Sequence, residues 1–199
     1  MMTRAQMDSL DRDGYVIVPD AVDERWVERL RRAFEGAPAQ HNGTQHVDIT
    51  PQTPEAASWA ALREHPVLSA AAERVLGRPF RVRDHHGRNP LPGFGQQGLH
   101  TDWMPRSDPR EFFVLTAIWM IDDFAADNGA TRVVPRTHLF PHAVPKEWAQ
   151  PAARHTEERV VTGKAGSVLL FNGHTWHSGR KNESQGTRRA AQTIVVRGE

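Results

Sequence analysis

Phe112-Phe113-Val114-Leu115-Thr116-Ala117-Ile118-Trp119-Met120-Ile121 is the stretch on which the fold turns. It carries no charge, one hydroxyl and many β-branched or aromatic side chains, the pattern of a strand covered on both faces. Downstream, Thr131 to Val134, Arg159 to Val161, Ser167 to Phe171, Thr175 to His177 and Ala190 to Val196 read as further short strands. Upstream, Phe80-Arg81-Val82-Arg83 alternates as a strand does, and a Gly/Pro-rich loop from Gly87 to Gly98 leads into Leu99-His100. His85 and His86 are read as loop residues.

Before residue 79 the punctuation is helical. Gly14 to Val18 is a short strand that Pro19 stops. Asp20 or Asp23 then caps a helix carrying Val22, Trp26, Leu30 and Phe34, closed by Gly36. Residues 37–53 read as a loop. Thr53-Pro54 opens a second helix, with Thr53 as its cap and Pro54 at the first helical position. His65-Pro66 interrupts it, and a third helix runs to Leu76 with Gly77 at its end. Helices first and strands after them predict a mainly β fold with an N-terminal helical layer packed on one sheet, a double-sheet jelly roll being the best candidate. We expect one domain over 1–199: a helical layer with an early strand at 1–78 and the jelly-roll core at 79–199.

Composition narrows the chemistry. The chain has 199 residues, 38% hydrophobic and 25% charged, which describes an ordinary globular protein. Its net charge of +1 predicts no partnership with nucleic acid or an anionic membrane surface. No apolar segment follows Met1 and none approaches spanning length, so a cytoplasmic location is expected. The absence of cysteine excludes disulfides, thiolate metal sites, iron–sulfur clusters and cysteine nucleophiles. Any metal must be held by histidine, aspartate or glutamate.

Residues i and i+2 of a strand point to one side, so His100-Thr101-Asp102 can aim an imidazole and a carboxylate at one point. A second histidine would complete the facial triad of non-heme iron oxygenases. The motif is common by chance, and His46-Val47-Asp48 and His155-Thr156-Glu157 are of the same kind. Context favours His100: glycines precede it and Trp103 follows, whereas His46 and His155 fall in polar loops. For the third ligand His174 and His177 both qualify. Their odd spacing puts them on opposite faces, so only one turns inward.

Phe171-Asn172-Gly173-His174-Thr175-Trp176-His177-Ser178-Gly179, followed by Asn182 and Arg188, resembles the C-terminal signature of the phytanoyl-CoA dioxygenase family. In that family the distal iron-binding histidine precedes an asparagine by five residues and a 2-oxoglutarate-binding arginine by eleven. Counting from His177 reaches Asn182 and Arg188; counting from His174 reaches Gly179 and Gln185. Gln97-Gly98-Leu99-His100-Thr101-Asp102-Trp103 is similar to the family's first metal motif. Asn128-Gly129-Ala130 through Pro135-Arg136-Thr137-His138 is similar to its central stretch, except that Arg136 stands where the family usually has glycine. Gly14-Tyr15-Val16-Ile17-Val18 matches its opening. The chain is also short for the family.

The resemblance implies a double-stranded β-helix that binds Fe(II) through His100, Asp102 and His177. It implies 2-oxoglutarate as co-substrate, its far carboxylate on Arg188, with Thr116 at the co-substrate pocket unless it is simply a β-branched core residue, and O2 as oxidant; Gln97 is a candidate to line the co-substrate or substrate pocket, or to bond loop backbone. Succinate and CO2 would leave as a small-molecule substrate is oxidised. Halogenating relatives have a small residue in place of the aspartate, so Asp102 implies hydroxylation or a related oxidation. Two other readings stay open: a metal-bearing cupin-like enzyme that does not use 2-oxoglutarate, and a binding module that has lost turnover. Arg88, Arg106, Arg110, Arg136 and Lys146 lie in expected loops, where a solvated face is the plain reading and an anionic substrate the pointed one. His138 and His174 are candidates for supporting the ligands. Oligomeric state is not legible.

Overall fold

The apolar run forms β5 (Val114–Met120), with every residue buried. Its side chains alternate between two cores, as the strand period of two requires. Leu115, Ala117 and Trp119 face one apolar cluster, and Ile118 and Met120 face another. The computed structural model describes residues 1–49, 54–103 and 106–198; Thr53, the expected cap, lies outside them.

β5 pairs with β8 (Val168–Asn172) and with β10 (Ala190–Arg197), both antiparallel. β1 (Tyr15–Val18) adds to β8, and β4 (Phe80–Pro90) adds to β10. A hairpin of β2 (Ala39–His41) and β3 (Thr44–Val47) completes a seven-stranded sheet in the order β1-β8-β5-β10-β4-β3-β2. The opposing sheet has three strands in the order β7-β6-β9: β6 (Thr131–Val134), β7 (Arg159–Val160) and β9 (Trp176–Gly179). Two antiparallel sheets face to face make the jelly roll, and Val133, Ile118, Leu169 and Phe171 fill the space between them.

Helices cover the outer face of the large sheet. α2 (Glu24–Gly36) is capped by the Asp23 carboxylate, which accepts from the Trp26 N–H at 2.7 Å, and buries Val27, Leu30 and Phe34. α3 (Pro54–Ala60) runs into a 3-10 turn at Ala61–Glu64, and α4 (Pro66–Leu76) follows with Val67, Leu68, Ala71, Ala72 and Val75 buried. These side chains join Leu115, Trp119, Leu170 and Val195 in one core. No helix among the described residues is long and apolar enough to cross a membrane.

Three elements differ from expectation. An additional helix, α1 (Arg4–Asp13), precedes β1, with Thr3 and Gln6 forming a reciprocal capping box. It buries only Leu10, so no apolar stripe announces it. Residues 39–47 are an edge hairpin rather than a loop. β4 runs on to Pro90, so His85, His86 and Arg88 are strand residues and not loop residues. The reason is physical: one face of that strand looks into a polar cavity, where apolar alternation has no purpose.

Candidate metal centre

Residues 97–100 pass alongside β9 without forming a strand, meeting it at one isolated bridge between His100 and His177. Gln97 N–H donates to the Gly179 carbonyl at 3.0 Å, and His100 and His177 exchange both backbone hydrogen bonds at 3.0 Å. Directly opposed residues of an antiparallel pair share a face, so the two imidazoles meet with ring centroids 4.5 Å apart. Asp102 is fixed separately: its N–H donates to the Gly173 carbonyl at 2.8 Å. Gly173 has to be glycine here, because a Cβ would meet the Val114 side chain at 2.4 Å and the Asp102 Cβ at 3.1 Å.

One donor atom from each of His100, Asp102 and His177 lies within 4.8 Å of the others. The backbone sets which atoms those are. His100 Nδ1 lies 3.0 Å from the Gly98 carbonyl, and His177 Nδ1 lies 2.8 Å from the Thr175 carbonyl. A carbonyl only accepts, so each Nδ1 carries hydrogen and each Nε2 is left to point inward. His177 Nε2 sits 3.4 Å from Asp102 Oδ1. The other oxygen, Oδ2, accepts from the Thr116 hydroxyl at 2.6 Å.

Charge at the cluster suits a cation. Burial and the neighbouring His177 push His100 down to about 4, so its imidazole is neutral. Burial alone would raise the Asp102 carboxyl, but the charge and hydrogen bond of His177 and the bond from Thr116 hold it well below the usual range. His177 moves the other way: burial lowers it, and Asp102 more than restores it. Two imidazole nitrogens and one ionised carboxylate oxygen on one side of a cavity are the donor set that ferrous iron accepts with positions to spare.

The cavity behind the cluster has an empty volume of about 590 Å³, its mouth included, and Gln97, Arg88 and Arg188 line it with the three donors. Arg188 is buried at the foot of β10. Its backbone N–H donates to Asn89 Oδ1 at 2.9 Å, its guanidinium lies 4.6 Å from the centre of the Phe124 ring, and its Nε has no partner. Burial, then the neighbouring Arg88, push it down to about 9. Among the described residues no carboxylate stands within ion-pair distance of it. A guanidinium buried in this way suits an anionic ligand. Gln97 lines the cavity while its Oε1 accepts from the Gly179 N–H at 3.1 Å. A second, wider cavity opens to solvent past His100 and Asp102, between Leu99, Trp103, Val144 and Ala149.

The remaining histidines stand apart from the cluster. His46 is exposed on β3, 5.9 Å from the His86 ring. His155 packs edge-on against Trp148. His174 turns away from the cluster, accepts from the Phe113 N–H at 3.3 Å and sits against the Phe112 and Phe113 rings. His138 bonds the Asp11 carbonyl at 3.0 Å and so ties α1 to the turn after β6. Asn182 is buried and donates to the Pro90 and Gly186 carbonyls. Sequence reasoning offered Arg88 only as one of five loop cations at the rim, whereas it lines the cavity from β4, and it missed Asn89, which holds the Arg188 backbone.

The sequence model of phytanoyl-CoA dioxygenase matches residues 10–190. The chain belongs to the phytanoyl-CoA dioxygenase family. It is accordingly an Fe(II)- and 2-oxoglutarate-dependent dioxygenase. Dioxygenase cdmA of Talaromyces verruculosus is 26% identical over 90% of this chain and 67% of its own length. The ectoine dioxygenase of Halomonas elongata is also 26% identical, over 98% of this chain and 70% of its own. Among solved structures, HygX of Streptomyces hygroscopicus, with nickel, 2-oxoglutarate and hygromycin B bound, superposes with a TM-score of 0.79 at 19% identity, covering 98% of this chain and 88% of that one. The epimerase SnoN, in complex with Fe3+, α-ketoglutarate and nogalamycin RO, gives a TM-score of 0.74 at 22% identity, covering 97% and 82%. These likenesses establish the jelly-roll fold of the family.

Proposed function

We propose that His100, Asp102 and His177 hold the ferrous ion, that Arg188 takes the far carboxylate of 2-oxoglutarate, and that the enzyme hydroxylates a small molecule. The observation that carries this reading is the convergence, in one cavity, of three donors from two distant stretches with an unpaired buried guanidinium. Bound iron, co-substrate and O2 supply the oxidising power, and succinate and CO2 leave. The protein's part is binding and orientation. Nδ1 anchoring keeps both imidazoles edge-on, and the planar Arg188 fork fits a carboxylate in two places at once. Gln97 lines the same cavity. Leu99, Trp103 and Val144 offer an apolar entrance on the open side of the cluster, the place for the substrate.

HygX and SnoN were each solved with a small molecule bound, hygromycin B and nogalamycin RO respectively. That supports a small-molecule substrate for a relative of the same fold. We also take residues 1–199 as one domain, because a single apolar core joins the helices of 1–78 to the strands of 79–199. The test is an anaerobic titration of the protein with Fe(II) and then 2-oxoglutarate, followed by visible absorption. A weak metal-to-ligand charge-transfer band is expected on the second addition and is expected to be absent in His177→Ala. A folded wild-type protein that gives no band would sink the assignment and leave the readings without 2-oxoglutarate or without turnover.

A further inference from the structure

We infer that Thr116 is a positioning residue that keeps Asp102 on the metal through one oxygen only. The inference rests on the metal assignment proposed above and deepens it. Thr116 is fully buried in the middle of β5, with its backbone locked in register between Phe171 of β8 and Ile194 of β10. A β-branched side chain in that position has little rotamer freedom. Its hydroxyl lies 2.6 Å from Asp102 Oδ2, and an ionised carboxylate only accepts, so the hydroxyl donates. Oδ1 is the oxygen left beside His177 Nε2, at 3.4 Å.

The consequence follows from counting positions around the ion. Three protein donors on one face of an octahedral ion leave the opposite face open. A chelating 2-oxo acid takes two of those positions and leaves one vacant. A carboxylate that swung round to bind through both oxygens would take that last position. The Thr116 hydroxyl opposes the swing by holding Oδ2 with a charge-assisted bond.

Thr116→Val removes the donor while keeping the branched shape, and Thr116→Ser keeps the donor. Each is loaded with Co(II), whose visible spectrum reports coordination number, and titrated with 2-oxoglutarate. In Thr116→Val the spectrum with 2-oxoglutarate bound should shift toward higher coordination than in wild type, because Oδ2 fills the position otherwise left vacant, and affinity for 2-oxoglutarate should fall about tenfold. Thr116→Ser should restore both. A Thr116→Val spectrum identical to wild type overturns the inference, including the case in which 2-oxoglutarate affinity alone falls, since that pattern means direct contact with the co-substrate. Wild-type protein that binds no Co(II) overturns it together with the metal assignment, whereas an unchanged variant beside a normal wild type overturns this inference alone.

Discussion

Arg188 and Arg88 put two guanidiniums into one cavity, and each is disfavoured by burial. A dicarboxylate relieves that more fully than any neutral ligand. Breaking a buried charge pair from one side typically costs about 3–5 kcal/mol, so Arg188→Ala should weaken 2-oxoglutarate binding by roughly two to four orders of magnitude. Arg188→Lys should recover little, because an ammonium cannot reproduce the planar fork. Equilibrium titration of the Co(II)-loaded variants measures both, and near-normal affinity in Arg188→Ala would assign the carboxylate to Arg88. At this scale the sequence told most where side chains recur at fixed spacing. His100 and Asp102 are set apart from the other His-x-Asp pairs by the glycines before them and Trp103 after, and the family's spacing to Arg188 separates His177 from His174. Arg88 and Asn89 gave no such signal. They act through a cavity that exists only once β4 and β10 have paired.

Arg136 shows what a single element demands of its sequence. It follows β6 with φ at 68°, and its N–H donates to the Asp13 carbonyl at 2.9 Å while its side chain is exposed. Left-handed backbone disfavours any residue with a Cβ by about 1–2 kcal/mol, which accounts for the glycine usual at this place in the family. Glycine's extra freedom in the unfolded chain offsets part of the gain. Arg136→Gly should therefore stabilise the protein by about 0.5–1 kcal/mol. Urea denaturation checks this through a raised midpoint at constant slope. The strands between two apolar layers, β5, β8 and β10, were readable from pattern alone. The hairpin of residues 39–47 and the far half of β4 were not, since a sheet edge and a cavity wall both permit polar residues where a core does not. α1 hid for a related reason: it rests on its cap and one buried leucine rather than on a stripe.

Across the whole molecule, Asp122 links the layers. Its two carboxylate oxygens accept from the Arg189 guanidinium at 2.9 Å each, and Arg189 also reaches Glu35 of α2 at 2.5 Å. Burial would raise the Asp122 carboxyl, but the side-chain and backbone bonds from Arg189 lower it overall. A carboxyl lowered by folding adds stability above its unfolded value, near 3.9, and loses it as pH falls through the folded value. Asp122→Asn should thus cost about 1.5–3 kcal/mol at neutral pH, and the gap to wild type should narrow in acid. Urea midpoints at neutral pH and at about pH 3 measure it; an equal gap at both would show that the carboxylate's charge is not the source. The order of strands carries one more implication. β10 is synthesised last yet stands between β5 and β4 in the large sheet. While residues 190–197 are still inside the ribosome, that sheet can exist only as two halves with sticky, unpaired borders. Arg188 emerges with the same stretch, so a nascent chain completes the lining of its polar cavity only as the halves zip together.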